Sequence, residues 1–175
     1  MANNYLLFST EIVFKTLEER DLFRKYIDYF DLRAADEYKD EGEEDEDAGE
    51  IEDVELFPEE VALIEDICSD YYVDWEFGYV PDPNGMNGEN LPAAWLMSQE
   101  GNSVEPVAAI IHLFLKRTNS NKEHVLQWAC TCSKPRPDQF HGGTCLITAK
   151  DIYWMSPQDQ VSYLRDVRER AERKD

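Results

Sequence analysis

Residues 5–14 (YLLFSTEIVF) are dense in aromatic and β-branched side chains and predict a first strand. Thr16-Leu17-Glu18-Glu19 then has the Thr-x-x-Glu form of a capping box, with Phe23, Tyr26, Ile27 and Phe30 following at helical spacing. A helix over residues 16–35 is expected there. Pro58 suits a first helical position, and Val61, Ile64, Ile67 and Tyr71 form an apolar stripe behind it, which predicts a second helix over 58–70. Val73, Trp75, Phe77 and Tyr79 alternate with Asp74, Glu76 and Gly78, the period of a strand with one wet face.

Residues 81–92 (PDPNGMNGENLP) read as a long loop before a strand over 93–98. Ser103 is placed to cap a helix in which Val107, Ile110, Ile111, Phe114 and Leu115 repeat at helical spacing, ending near Arg117. Strands are expected over 124–132 and 144–155, joined by SKPRPDQFHGG, with a break in the second at Lys150-Asp151. Ser156-Pro157 opens a C-terminal helix expected to turn Val161, Leu164 and Ala171 inward and to end in basic residues. The order predicts an α+β fold, an antiparallel sheet with helices packed on it. Its two split β-α-β halves resemble the ferredoxin-like arrangement with an added helix on each half, a likeness that implies no activity by itself.

Charge changes this picture in one place. The chain of 175 residues carries a net charge of −21, and −18 of it lies within residues 36–74, which hold 19 acidic residues and one basic residue. With 42% hydrophobic and 12% aromatic residues, most of the chain is expected to fold, as a single domain spanning 1–175. Residues 36–56 combine two glycines with dense like charge and are expected to form a flexible acidic insertion. A surplus this local builds a field with a direction, disfavours nucleic acid and anionic membranes as direct partners, and favours basic protein surfaces. The N-terminus has no basic run before its apolar residues and carries Glu11 among them, so it does not read as a secretory signal. No stretch approaches the roughly 20 apolar residues of a membrane span, and a cytoplasmic location is expected.

The candidate partner-binding residues are all acidic. Glu43, Glu44, Asp45, Glu46 and Asp47 form the flexible run; Glu59, Glu60, Glu65, Asp66 and Asp70 belong to the helix at 58–70; Asp74 and Glu76 lie on the strand that follows. Duplex DNA carries one negative charge per roughly 1.7 Å of its axis, and carboxylates at comparable density fit the same basic grooves. The EF-hand spacing is absent, so the acidic run does not specify a calcium loop.

Of the four cysteines, Cys130 and Cys132 point to one face of a strand, and His141 and Cys145 lie near enough in sequence to complete a tetrahedral zinc set. The C-x-C-x8-H-x3-C spacing lacks paired C-x2-C knuckles, and buried thiols beside a surface histidine are the plainer expectation, so no metal or cofactor is assigned. A Cys–His nucleophile built from Cys132 or Cys145 with His141 would lack an orienting third residue. His112 and His124 are expected to be ordinary. No glycine-rich phosphate loop is present, and Trp75, Trp95, Trp128 and Trp154 all fall on predicted strands, where packing is the expected role.

The run WACTCSKPRPDQFHGGTCLITAKDIYWM, residues 128–155, resembles a segment of small uncharacterised phage and plasmid proteins that pair a TCSKPR loop with a Phe-x-Gly-Gly turn and a strand ending near Trp. The resemblance implies a mobile-element origin, a setting in which compact acidic proteins often antagonise host nucleases. The expected function is therefore a non-enzymatic DNA-mimic inhibitor that occupies the nucleic-acid groove of a host defence protein such as a restriction or CRISPR effector. The rivals are a zinc- or thiol-dependent enzyme centred on Cys130, Cys132 and Cys145, and an acidic module for another basic protein such as a toxin.

Overall fold

A computed structural model describes residues 4–37, 56–70, 80–82, 92–101, 103–132 and 141–173. The run Glu43–Asp47, the strand expected at 73–79 with Asp74, Trp75 and Glu76, and the loop before His141 lie outside the described residues. The elements in order are β1 (Asn4–Val13), α1 (Leu17–Glu37), α2 (Pro58–Asp70), β2 (Val80–Asp82), β3 (Ala93–Gly101), α3 (Glu105–Arg117), β4 (His124–Cys132), β5 (His141–Ile147), β6 (Ile152–Met155) and α4 (Pro157–Glu172). The class is α+β, as the pattern predicts. Several boundaries move: α1 runs on through Asp36 and Glu37, β2 takes up residues expected to be loop, β3 continues from 98 to Gly101, and β5 begins at His141.

The described strands join one antiparallel sheet in the order β2-β3-β1-β4-β5-β6. The first strand of the chain is thus central, paired on one side with β3 and on the other with β4. Its period of two explains this position. Leu6, Phe8, Ile12 and Phe14 are buried on the helix side, and Leu7 and Ser9 face out.

The helices start where local chemistry directs. Glu19 N–H donates to Thr16 Oγ1 at 3.2 Å while the Glu19 carboxylate accepts from Lys15 N–H at 2.7 Å, a capping box that reaches back one residue further than usual. Phe23, Tyr26, Ile27 and Phe30 are then buried, as expected. At α3 the cap residue is Val104 rather than Ser103. Ser103 Oγ accepts from Glu105 N–H at 3.3 Å, and the Glu105 carboxylate accepts from Val104 N–H at 3.1 Å and from the Ser103 hydroxyl. Pro106 in the first turn lacks only an N–H that would have no helical partner there.

One core lies between α1, α2, α3 and the inner face of the sheet. At its centre Phe14 of the β1 end, Phe23 of α1 and Phe114 of α3 meet with ring centroids 5.3–5.6 Å apart, two of the pairs edge to face. Each fully buried ring contributes on the order of 2–3 kcal/mol through removal from water, with edge-to-face geometry adding to it. Toward β5 and β6 the sheet is closed by a different device. The Trp128 ring lies across Gly143, where a Cβ would collide with it, and meets Trp154 edge to face at 5.7 Å.

One expectation about the C-terminal helix is overturned. α4 rests against β5 and β6, but Val161 and Leu164 are exposed, at 47% and 63%, instead of turned inward; the side chain of Ala171 is outside the described set. The amphipathic pattern records that an apolar face exists, and it cannot record whether the fold brings a partner to it. No described helix is long and apolar enough to cross a membrane.

Candidate interaction surface

α2 lies within the acidic segment: in PEEVALIEDICSD, five of 13 residues are acidic and none is basic. Pro58 supplies a helical φ, and Glu59 and Glu60 lie against the positive helix start, where carboxylates are stabilised. The apolar stripe Ile64 and Ile67 is buried against the core, which leaves Glu59, Glu65 and Asp66 exposed. Three of the five candidates on this helix therefore reach the surface. Asp70 ends the helix, and its side chain is outside the described set.

Glu60 does not belong to that surface, and this corrects its assignment to a partner. It is 3% exposed. Tyr26 Oη donates to its Oε1 at 2.7 Å, Phe57 N–H to its Oε2 at 2.8 Å, and Arg117 Nη1 lies 3.4 Å from Oε1. The guanidinium of Arg117 in turn lies 3.4 Å from the centroid of the Phe57 ring. Burial, and secondarily the bond to Glu60, raise the Tyr26 phenol far above its ordinary range, so it remains a neutral donor. Glu60 is a junction between α1, α2 and α3, where a buried carboxylate is tolerated because its lone pairs are met.

Glu65 is exposed but engaged. It accepts from Tyr29 Oη at 3.0 Å and lies 3.2 Å from Arg33 Nη2, while Arg33 Nε donates to Tyr29 Oη at 2.9 Å. Glu59 and Asp66, on the same helix, leave a carboxylate surface that extends past this pair.

The cysteine cluster is not assembled as a metal centre. Antiparallel register sets His141 opposite Cys130 and Cys145 opposite Leu126, so Cys145 and His141 are separated by four residues, about 13 Å along one strand. Cys130, Cys132 and Cys145 are free thiols, and among the described residues no three His, Cys, Asp or Glu side chains are grouped to hold a metal ion. Burial pushes the Cys145 thiol up to about 11 and the Cys130 thiol upward as well, with Glu105 adding to both. A thiolate nucleophile needs the opposite shift.

The other two histidines are held by the fold. His124 Nε2 is 2.8 Å from Thr10 Oγ1, and burial lowers its pKa to about 4, so the ring is neutral at ordinary pH. His112 Nδ1 is 2.7 Å from the carbonyl oxygen of Thr148; that oxygen only accepts, which places the proton on Nδ1. Trp95, Trp128 and Trp154 all stand on strands as expected. Lys116, Lys122 and Lys150 are picked out by no motif, although they line one groove. Their only trace in the chain is that residues 116–122 hold three basic residues and no acidic one.

The fold and surface define an α+β protein with α1, α2 and α3 on one face of an antiparallel sheet and an acidic helix at the edge of its core. No family model matches the chain, and no curated protein or solved structure matches it.

Proposed function

We propose that the protein is a non-enzymatic inhibitor that presents a DNA-like array of carboxylates to the basic nucleic-acid-binding groove of a host defence protein, a restriction or CRISPR effector. The observation that carries this reading is the segregation of charge: −18 of the net −21 falls within residues 36–74, and α2 inside that segment has no basic residue of its own. Solubility alone would be served by acid spread over the whole surface. Glu59, Glu65 and Asp66 supply fixed geometry, and Glu43, Glu44, Asp45, Glu46 and Asp47, with Asp74 and Glu76, supply further charge for long-range attraction. The strand order β2-β3-β1-β4 supports reading this part of the chain as a ferredoxin-like unit with the β5-β6 hairpin added to it. The likeness of residues 128–155 to mobile-element proteins favours the same setting.

Affinity capture from a host lysate at low salt tests this reading. The retained protein is expected to be a nucleic-acid enzyme that duplex or single-stranded DNA displaces, and raising salt from about 50 to 500 mM should weaken the complex sharply. Replacing Glu59, Glu65 and Asp66 by Gln or Asn, with and without neutralising residues 43–47, should reduce inhibition. Inhibition that survives both sets, or binding indifferent to salt, defeats the proposal. Retention of a basic protein that DNA does not displace favours the toxin-binding alternative instead.

A further inference from the structure

We infer that the groove between the α3–β4 connection and the β5–β6 turn binds the polyphosphate group of a small ligand, a site independent of the acidic surface above. The groove has a volume of about 850 Å³, in the range of small-molecule sites. Lys116 and Lys122 line it from the α3–β4 side, Lys150 and Tyr153 from the β5–β6 side. Leu146 and Ala149 add an apolar portion.

The first argument is the state of the lysines. In a chain with 38 acidic residues and 17 basic ones, Arg20, Arg24, Arg33, Arg117 and Arg173 each have a carboxylate within 3.5 Å. Among the described residues Lys116, Lys122 and Lys150 take part in no such pair, as is true of Lys15, Lys25, Arg165 and Arg170 elsewhere, but these three share one groove, in whose described lining Glu123 is the only acidic residue. Three ammonium groups against one carboxylate give this concavity a net positive charge, as an anion site requires. A single carboxylate would answer one of them, whereas a polyphosphate answers all three.

The second argument is that both banks are held in place before any ligand arrives. On one side Thr118 N–H donates to Phe114 O at 3.0 Å and Ser120 N–H to Leu115 O at 2.9 Å, with Asn119 between them in the left-handed region at φ 46°. On the other, Thr148 Oγ1 accepts from Lys150 N–H and Asp151 N–H, both at 3.1 Å, and Thr148 N–H donates to Asp151 O at 3.0 Å. The bond from His112 Nδ1 to Thr148 O ties this turn to α3. Such banks spare the backbone an ordering cost on binding and leave only the exposed lysine side chains to be ordered.

The ligand's size follows from the rest of the charge. A long nucleic acid would meet the repulsion of a chain of net charge −21, while a small polyphosphate confined to the groove is short enough to avoid most of it, since the field is screened over roughly 8 Å at physiological salt. The exposed ring of Tyr153 offers a stacking surface, which suits a nucleoside polyphosphate; an inorganic polyphosphate would use the lysines alone.

Calorimetric titration of the full chain at low ionic strength without divalent cations separates these sources, with adenosine triphosphate and inorganic tripolyphosphate as probes and adenosine as the uncharged control. Both triphosphates are expected to saturate one site, and adenosine to show no binding. The variant Lys116→Gln/Lys122→Gln/Lys150→Gln should weaken them by about tenfold or more, with an unchanged circular dichroism spectrum. The charge-matched control Lys25→Gln/Arg165→Gln/Arg170→Gln should change them by no more than about twofold. Tyr153→Ala weakening only the nucleotide identifies a nucleoside ligand; an equal response of both probes identifies the inorganic one. The proposal is overturned by a lack of saturable triphosphate binding, or by equal losses in the groove variant and its control.

Discussion

Tyr26 of α1 donates its hydroxyl to Glu60 of α2 across 2.7 Å, although 34 residues of chain separate them. The bond closes a polar junction inside the helix layer, which Arg117 of α3 completes. Glu60→Ala would leave the buried Tyr26 hydroxyl and the part-buried Phe57 N–H without their acceptor. A loss of about 3 kcal/mol in urea-induced unfolding is expected, against a change within about 0.5 kcal/mol for the adjacent, exposed Glu59→Ala. Equal effects at the two positions would return Glu60 to the acidic surface.

His124 makes stability depend on pH. Its folded pKa, about 4, lies below the ordinary value of 6.5, so between these limits the unfolded chain binds more protons than the folded one. The contribution of the neutral ring is therefore complete above about pH 6.5 and is lost as pH falls toward 4, by up to about 3 kcal/mol. Chemical denaturation of the protein and of His124→Gln at pH 7 and pH 4.5 reads this directly: the advantage of the histidine should shrink on acidification. Carboxylate titration is common to both proteins and cancels in the comparison.

Gly143 is fitted to the indole of Trp128. Gly143→Ala should cost about 1–3 kcal/mol by forcing the ring aside and should alter tryptophan fluorescence, since Trp128 also touches Trp154. In a thermodynamic cycle with Trp128→Leu, the double variant should lose less than the sum of the single ones. Simple additivity would dissociate the glycine from the ring.

The two apolar helix faces should respond in opposite ways. Phe114→Ala removes the ring that meets both Phe14 and Phe23, and a loss of about 3–5 kcal/mol is expected. Leu164→Ala, on the exposed face of α4, should change stability by no more than about 0.5 kcal/mol. A core-sized penalty at Leu164 would mean that α4 is covered in solution.

Local patterns proved most legible where the physics is itself local. The capping box at Thr16, Pro58 at the start of α2, and the apolar spacing of α3 act within one or two turns, and α2 and β4 fall on their predicted bounds. The break expected at Lys150-Asp151 is the turn between β5 and β6, tied by Thr148. The cap of α3 lies one residue beyond the serine to which the pattern points, because Ser103 serves the turn through Glu105 instead of occupying the cap itself.

By itself the chain determined the α+β class, most element positions and the confinement of acid to one segment, since periodicity, capping and charge reside in neighbouring residues. Tertiary structure alone decided which polar groups face water and which groups meet. Glu59 and Glu60 are adjacent and identical, yet only Glu60 finds Tyr26 and Arg117 within the helix layer. Cys145 and His141 share a strand whose extended rise holds them apart, while Lys116, Lys122 and Lys150 come from separate elements and share a groove. α4 has the apolar face of a packed helix and no cover for it within the described fold. Burial and convergence depend on contacts between residues far apart in sequence, and no local pattern contains them.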